Sequence, residues 1–462
     1  MDDFDVIVIG AGPAGETAAG RCAEGGLSVA IVERELVGGE CSYWGCIPSK
    51  TLIRPGDVLA AARRVPGATE ALIGTIDVTS ALAQRDYMTS SWDDSGQLPW
   101  LEEREITLVR GSGRLDGQRR VVVTTPNGAR RLAARRAVVL ATGTAAALPP
   151  IPGLADVSPW TNRDATAVKS LPRRLVVLGG GAVGLEMAQA FKRLGTEQVT
   201  VVESAPRLLA REEPFAGNEV RAALESGGIH IVVDADVESV RRVGSDGPIV
   251  VKLAGRPEIV GDELLVAAGR RVMTDQLGLD TVGVEPGRFV PVDDRMRADA
   301  VEDGWLYAVG DCNGLAALTH MGKYQARIAA DTILGRDIRD HASQDVVPRV
   351  TFTDPQVCAV GLTEAAARER GLPVSTVTYD TGGVAGAYTL GNGIAGTSQL
   401  VIDDQRRVIV GATFTGPGIQ ELLHAATIAI AGQVSVDTLW HAVPSFPTIS
   451  EVWLRLLEQY GL

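Results

Sequence analysis

A chain of 462 residues is too long for one hydrophobic core, and its length points to about three domains. A net charge of −13 argues against nucleic acid or anionic membrane as a partner, because both call for a basic surface; a small-molecule acceptor is the expectation instead. The five cysteines are too few for a disulfide framework at this size, which points to a reducing cytoplasm, and no run approaches the roughly 18 apolar residues of a membrane span.

The first element in chain order is the apolar strand Asp5-Val-Ile-Val-Ile9, followed by Gly10-Ala-Gly12-Pro-Ala-Gly15 and a helix through Arg21 and Ala23. Each glycine has a separate task. Gly10 permits a tight turn, Gly12 lets a pyrophosphate approach the backbone, and Gly15 lets the helix pack on the strand. The helix N-terminus offers free N–H groups to the phosphates. A second strand, Ser28 to Val32, leads to Glu33, about 20 residues beyond the glycines, where a carboxylate binds adenosine ribose hydroxyls.

Next comes Gly38-Gly-Glu-Cys41-Ser-Tyr-Trp-Gly-Cys46-Ile-Pro-Ser-Lys50. A disulfide between Cys41 and Cys46 would close a tiny loop, so its value as a staple is small, and a redox-active dithiol is the better reading. Zinc would need further ligands, and no second close-spaced Cys or His cluster supplies them, so no metal site is expected. A helix starting near Cys41 would bring the two sulfurs within about a turn and stabilise a thiolate at its N-terminal end.

The dinucleotide pattern then recurs. Arg174-Leu-Val-Val-Leu178 runs into Gly179-Gly-Gly181-Ala-Val-Gly184-Leu-Glu186, and Gln198 to Val202 ends at Glu203. An acid at Glu203 welcomes a free ribose 2′-hydroxyl and repels a 2′-phosphate, favouring NADH over NADPH. Arg207 competes with this reading if it reaches a phosphate.

With both glycine motifs and the cysteine pair in place, the chain resembles the FAD-dependent pyridine nucleotide disulfide oxidoreductases, which include dihydrolipoamide dehydrogenase, glutathione reductase and mercuric reductase. The resemblance implies an α/β fold with two Rossmann-like dinucleotide-binding domains, the NAD domain inserted in the FAD domain, and a C-terminal α+β dimerisation domain. On this plan residues 1–149 and 271–342 bind FAD, 150–270 bind NAD(P)H, and 343–462 form the interface of a homodimer.

The same resemblance implies roles for single residues. Val138-Val-Leu-Ala-Thr-Gly143 looks like the crossing into the NAD domain, and Ala267-Ala-Gly269-Arg270 the return. Asp311, in Leu306-Tyr-Ala-Val-Gly-Asp311, takes the position that binds the ribityl chain of FAD. Val350 to Pro355 and Val360 to Glu364 resemble the start of the interface domain. Cys46 becomes the thiol nearest the flavin and Cys41 the thiol that attacks substrate, while Lys50 lies by the flavin with Glu186 as its ion-pair partner.

One departure stands out. Many members carry His-Pro-Thr followed by Ser-Glu near the C-terminus, the histidine serving the partner subunit's dithiol as acid/base; here Ser445-Phe446-Pro-Thr-Ile-Ser-Glu451 places Phe446 at that position and keeps only Glu451. His441 lies five residues upstream as a substitute, outside the motif. Mercuric reductases also lack the histidine but usually end in a cysteine pair, and this sequence ends Glu458-Gln-Tyr-Gly-Leu462. Tyr43 and Trp44 lie between the cysteines, either lining an acceptor pocket or packing on the flavin domain.

The functional expectation is therefore an enzyme passing electrons from NAD(P)H through FAD to the Cys41–Cys46 disulfide and on to an acceptor that needs little proton assistance. A reactive disulfide or sulfenyl compound, a thiol-bound metal ion and a quinone are the candidates. The alternatives are a divergent dihydrolipoamide dehydrogenase and a redox-sensing flavoprotein.

Overall fold

The first strand begins earlier than the apolar run alone predicts, spanning Asp2–Ile9. Its acidic start is held by arginines: Asp2 pairs with Arg130 and Asp5 with Arg135, at 2.7 and 3.0 Å. In the computed structural model, which describes residues 2–462, the chain forms two units. One contains the residues through Pro48, Asp86–Ala145 and Arg270–Gln344, and the other contains Ser49–Arg85, Ala146–Gly269 and Asp345–Leu462.

The first unit is organised by a seven-stranded sheet in which Thr107–Arg110, Val29–Glu33, Asp2–Ile9 and Gly128–Leu140 lie side by side in parallel. Leu306–Ala308 also pairs in parallel with Gly128–Leu140, and Arg120–Thr125 and Ser112–Leu115 extend the sheet antiparallel. Strand residues alternate between faces, so a strand buried on both sides must be apolar throughout. Val6 and Val8 accordingly enter one core with Ala18, Ala19, Ala326 and Ala329, while Ile7 and Ile9 enter the other with Val121, Val123 and Leu306. Complete burial of each such Ile or Val contributes about 1.5–3 kcal/mol.

Small residues on Pro13–Glu24 and Thr319–Ile333 let these two helices approach the same face of the sheet. A Cβ added at Gly322 would lie 3.2 Å from Gly310 Cα and 3.3 Å from Ala14 Cβ. The glycines therefore bring the start of the long helix against the Gly310–Asn313 turn and against the first dinucleotide loop.

In the second unit a parallel sheet runs Ile229–Val232, Gln198–Val202, Arg174–Leu178, Glu263–Val266, with Ala182–Leu194 and Pro214–Ser226 as its helices. A separate antiparallel sheet of five strands, Arg349–Thr351, Gln356–Gly361, Val408–Gly416, Thr397–Asp403 and Val374–Asp380, forms the C-terminal part. Leu423–Ala431 and Val452–Tyr460 are among its helices.

Charged residues fix the part of the helix Cys46–Arg63 that belongs to this unit: Arg193 donates to Asp57 at 2.9 Å and to Asp354 at 2.7 Å, and Asp354 also accepts from Arg64. Burial pushes the Asp57 carboxyl up to about 6, against the pull of Arg193. A folded-state value above the unfolded one means that this stabilisation is fully present below the unfolded value of 3.8 and is lost as pH rises through about 6. Asp57→Asn should remove that dependence, so the variant gains on wild type by about 2–3 kcal/mol between about pH 4 and pH 7. Urea midpoints of both proteins across this range provide the check, and a constant difference between them would contradict it.

Candidate dithiol and dinucleotide sites

Both dinucleotide loops have the same construction. Gly10 and Gly179 adopt φ of +104° and +117°, where a side chain is strained, and an added Cβ at either would lie 2.4 Å from a carbonyl oxygen, of Ala141 or Ala267. A Cβ at Gly15 would lie 1.9 Å from Gly10 O, and one at Gly184 would lie 2.1 Å from Gly179 O. The helices that follow have Gly12 and Gly181 as N-caps, neither supplying a side-chain cap. Their first N–H groups remain available to a pyrophosphate.

The two acids are also set alike. Glu33 accepts from Ala11 N and Glu35 N, both at 2.7 Å, and Glu203 accepts from Gly180 N and, at 2.7 Å, from Ala205 N. Each carboxylate thus braces its own glycine loop while retaining lone pairs for ribose hydroxyls. Arg207 is committed elsewhere: its guanidinium donates to the carbonyls of Leu209, Ala210 and Glu212 at 2.6–3.0 Å. Gly184→Ala is expected to lower kcat/KM for NADH about tenfold or more while FAD stays bound, because a small displacement of a bound reactant is costly. Equal activity with FAD content unchanged would rule this out.

The redox segment touches the first loop directly. A Cβ on Gly39 would lie 2.7 Å from Gly12 Cα, so the glycine before Glu40 is required by backbone packing as well as by its φ of +59°. The single helix expected to start near Cys41 is not formed. Gly39–Tyr43 is a short helix, Trp44 leaves it at φ −136°, ψ −3°, and a new helix begins at Cys46 and runs to Arg63. Gly45 gives the physical reason: an added Cβ there would sit 3.1 Å from Glu40 O and 3.4 Å from Cys41 Cα. The helix is interrupted at this point, and the long helix presents its positive end at Cys46 rather than Cys41.

Cys41 and Cys46 are free thiols in hydrogen-bond contact. The Cys41 thiol is pushed well above the ordinary range by that bond and by burial, while the Thr319 hydroxyl pulls it down. Thr319 Oγ1 also lies 3.4 Å from Cys46 Sγ. Nothing in the sequence near the cysteines announces Thr319, which enters from the helix after the Asp311 turn. Tyr43 is buried and donates to Val37 O, and Trp92 donates its indole N–H to Tyr43 O, so Tyr43 packs and does not line a pocket.

Asp311 accepts from Thr144 Oγ1 at 2.6 Å, and Arg270 holds the same threonine through its hydroxyl and its carbonyl. The Arg270 guanidinium also lies 3.8 Å from both Asp311 and Glu40, a reach that the sequence did not reveal. Gly143, at φ +65°, precedes this threonine, and Gly269, at φ +136°, precedes the arginine.

In the second unit Lys50 pairs with Glu186 at 2.7 Å, and the other Glu186 oxygen accepts from Phe352 N at 2.9 Å. Glu186 is 4% exposed, and the Lys50 ammonium sits 4.7 Å from the Phe352 ring centroid. At the C-terminal segment Phe446 is 77% exposed. Glu451 is held by Arg455 at 2.7 Å and by Ala385 N at 3.4 Å, a structural engagement that its i,i+4 spacing to Arg455 signals in the sequence. His441 is exposed. Among the described residues no group of three or more His, Cys, Asp or Glu is arranged to hold a metal ion, and no helix is long and apolar enough to cross a membrane.

Residues 4–329 match the pyridine nucleotide-disulphide oxidoreductase family, and residues 347–456 match its dimerisation domain. A mercuric reductase of Shigella flexneri is 34% identical over 462 residues, covering 98% of this chain and 80% of the relative. A dihydrolipoyl dehydrogenase of Chlorobaculum tepidum is 33% identical over 456 residues, covering 97% and 95%. Among solved structures, the Cu(II) complex of the HOCl-induced flavoprotein disulfide reductase RclA from Escherichia coli superimposes with a TM-score of 0.86 at 25% identity, with 99% of each chain covered. LpdA from Mycobacterium tuberculosis has a TM-score of 0.87 at 24% identity over all of both chains and shows the shared fold. Members of this family are enzymes that use FAD and NAD(P)H. With its two nucleotide-binding domains, redox dithiol segment and dimerisation domain, the chain belongs to the FAD-dependent pyridine nucleotide-disulphide oxidoreductases.

Proposed function

We propose that this homodimeric enzyme takes electrons from NADH and delivers them through the Cys41–Cys46 pair to an acceptor whose reduction needs little proton assistance. The observation that carries this reading is Phe446, exposed at the position where many members of the family carry a histidine; the Cys41 thiol is in addition pushed up by its hydrogen bond with Cys46 and by burial. A thiol is a poor nucleophile until it ionises. Acceptors that are themselves electrophilic, such as a sulfenyl compound, a strained disulfide or a thiol-bound metal ion, suit this pair better than an ordinary disulfide.

On this reading residues 1–149 and 271–342 form the FAD-binding domain, 150–270 the NAD-binding domain and 343–462 the dimerisation domain. Gly10, Gly12, Gly15 and Glu33 receive the adenosine diphosphate half of FAD, Gly143 lies at the domain crossing, and Asp311 takes the ribityl hydroxyls. Bound FAD supplies the relay between a two-electron hydride donor and the disulfide. Gly179, Gly181, Gly184 and Glu203 receive NADH, with Gly269 and Arg270 at the return of the chain. Arg207, spent on carbonyls, leaves Glu203 to disfavour a 2′-phosphate. Lys50, fixed by Glu186, supplies positive charge beside the electron-rich flavin ring.

The test is anaerobic titration of the holoenzyme with NADH and NADPH, followed by a panel of electrophilic sulfur compounds, thiol-bound metal ions, quinones and lipoamide. Reduction by NADH in preference to NADPH and turnover with an electrophilic acceptor are expected. The similarity to a dihydrolipoyl dehydrogenase along 95% of that protein favours a second reading, a divergent enzyme of that activity. Rapid reduction of NAD by dihydrolipoamide would select it and displace the first.

A further inference from the structure

We propose that Thr319 is a positioning residue for the dithiol: its hydroxyl donates a hydrogen bond to the Cys46 thiolate of the reduced enzyme and holds the negative charge on that sulfur. The inference rests on the reading of Cys41 and Cys46 as the redox pair. Two electrons, whose donor is NAD(P)H, and one proton convert the disulfide into one thiol and one thiolate. The S–S bond breaks, the proton goes to Cys41 and the charge stays on Cys46. The threonine O–H is too weak an acid to surrender its proton, so it donates a hydrogen bond and remains intact.

The geometry supports this role twice over. Thr319 Oγ1 is 3.4 Å from Cys46 Sγ, within the reach of a hydrogen bond to sulfur. The start of its helix is also firmly held. Gln325 accepts from Gly310 N at 2.8 Å and from Asn313 Nδ2 at 2.9 Å, donates to Ser343 at 3.1 Å, and is fully buried. Close packing of Gly322 on Gly310 prevents the helix from sliding, and the β-branched threonine has few rotamers to choose from. A hydroxyl fixed in this way is already in place before the charge forms, which is what makes such a donor effective.

The Thr319 hydroxyl reaches both sulfurs, and the helix start adds to its effect at Cys46. Cys46 opens the long helix Cys46–Arg63, so it has both the positive helix end and the Thr319 donor, whereas Cys41 lies inside a short helix. The ionisable groups carried by these helices are Glu40, Cys41 and Tyr43, then Cys46, Lys50, Arg54, Asp57 and Arg63, and His320, Lys323, Tyr324, Arg327 and Asp331. Substitution at Thr319 leaves all of them in place.

The experiment is a pH titration of the long-wavelength thiolate-to-flavin absorbance in anaerobic, two-electron-reduced holoenzyme, for wild type, Thr319→Val, Thr319→Ala and Thr319→Ser. Loss of a hydrogen bond to a charged group should raise the midpoint by about one to two pH units in Thr319→Val and Thr319→Ala. Thr319→Ser should restore it, while a purely structural role would leave serine no better than valine. As a second readout, the alkylation rate of Cys46 by iodoacetamide in the reduced holoenzyme should show the same displacement. An unmoved midpoint in both the valine and alanine variants would overturn the role of Thr319 and leave the electron path standing. Absence of the band from reduced wild type would remove the reading of Cys46 beside the flavin, and the proposal with it.

Discussion

Phe446→His should raise kcat/KM for an ordinary disulfide such as lipoamide by about 10²-fold, with little change for electrophilic acceptors. The Cys41 thiol is pushed up by its hydrogen bond with Cys46 and by burial. To attack or release an ordinary disulfide, that sulfur must lose and regain a proton, and a positioned acid/base typically supplies 10²–10⁴ in rate. Phe446 cannot do this, yet its side chain is 77% exposed, at the position where the family resemblance implies a histidine. The gain is placed at the low end of the range because Glu451 is held by Arg455 and by Ala385 N, and is not free to orient a new histidine. Adding Arg455→Ala should release that carboxylate and increase the gain. The new activity should also acquire a pH dependence near the histidine range, about 6–7. Unchanged lipoamide kinetics in both variants would show that proton transfer is not what limits ordinary disulfides.

The elements that the sequence made legible are those whose backbone demands a particular residue. Gly10 and Gly179 sit in a conformation that strains any side chain, and Gly15 and Gly184 sit where a Cβ would overlap a carbonyl oxygen, so the sequence records these constraints directly. Glu33 and Glu203 follow because one ends and the other directly follows a strand beside its glycine loop. The buried parallel strands were visible for the related reason that both faces must be apolar.

What was hidden depends on contacts between distant segments or on a local break. No periodicity announces that Trp44 leaves the helix and that Gly45 separates it from the next, yet this break moves the start of the long helix from Cys41 to Cys46. Thr319 meets Cys46 across 273 positions of sequence, and Arg270 reaches Thr144 across 126. Both contacts exist only because the sheet and the helix start bring those segments together. Tyr43, for which the sequence leaves pocket lining and packing open, is decided by its burial and its bond to Val37 O, which make it part of the support.

Serine substitutions at the two cysteines should separate the steps of the electron path. Cys41→Ser leaves Cys46 without a disulfide partner, so the thiolate-to-flavin absorbance is expected in this variant even before any reductant is added. Its turnover with sulfur or metal acceptors should fall by at least about 10³-fold, because removal of a covalent participant is not compensated by its neighbours. Cys46→Ser should lose the same turnover and also lack the long-wavelength absorbance in every redox state, since an oxygen at this position does not ionise near neutral pH. Quinones taking electrons directly from flavin should be reduced by both variants at rates close to wild type, because that route bypasses the dithiol. The contrast depends on the break at Trp44–Gly45: were both cysteines on one helix starting at Cys41, the dipole would favour Cys41 as the thiolate, and Cys46→Ser would be the variant to keep a thiolate signal. Undiminished turnover of Cys41→Ser with every acceptor would take the dithiol out of the mechanism.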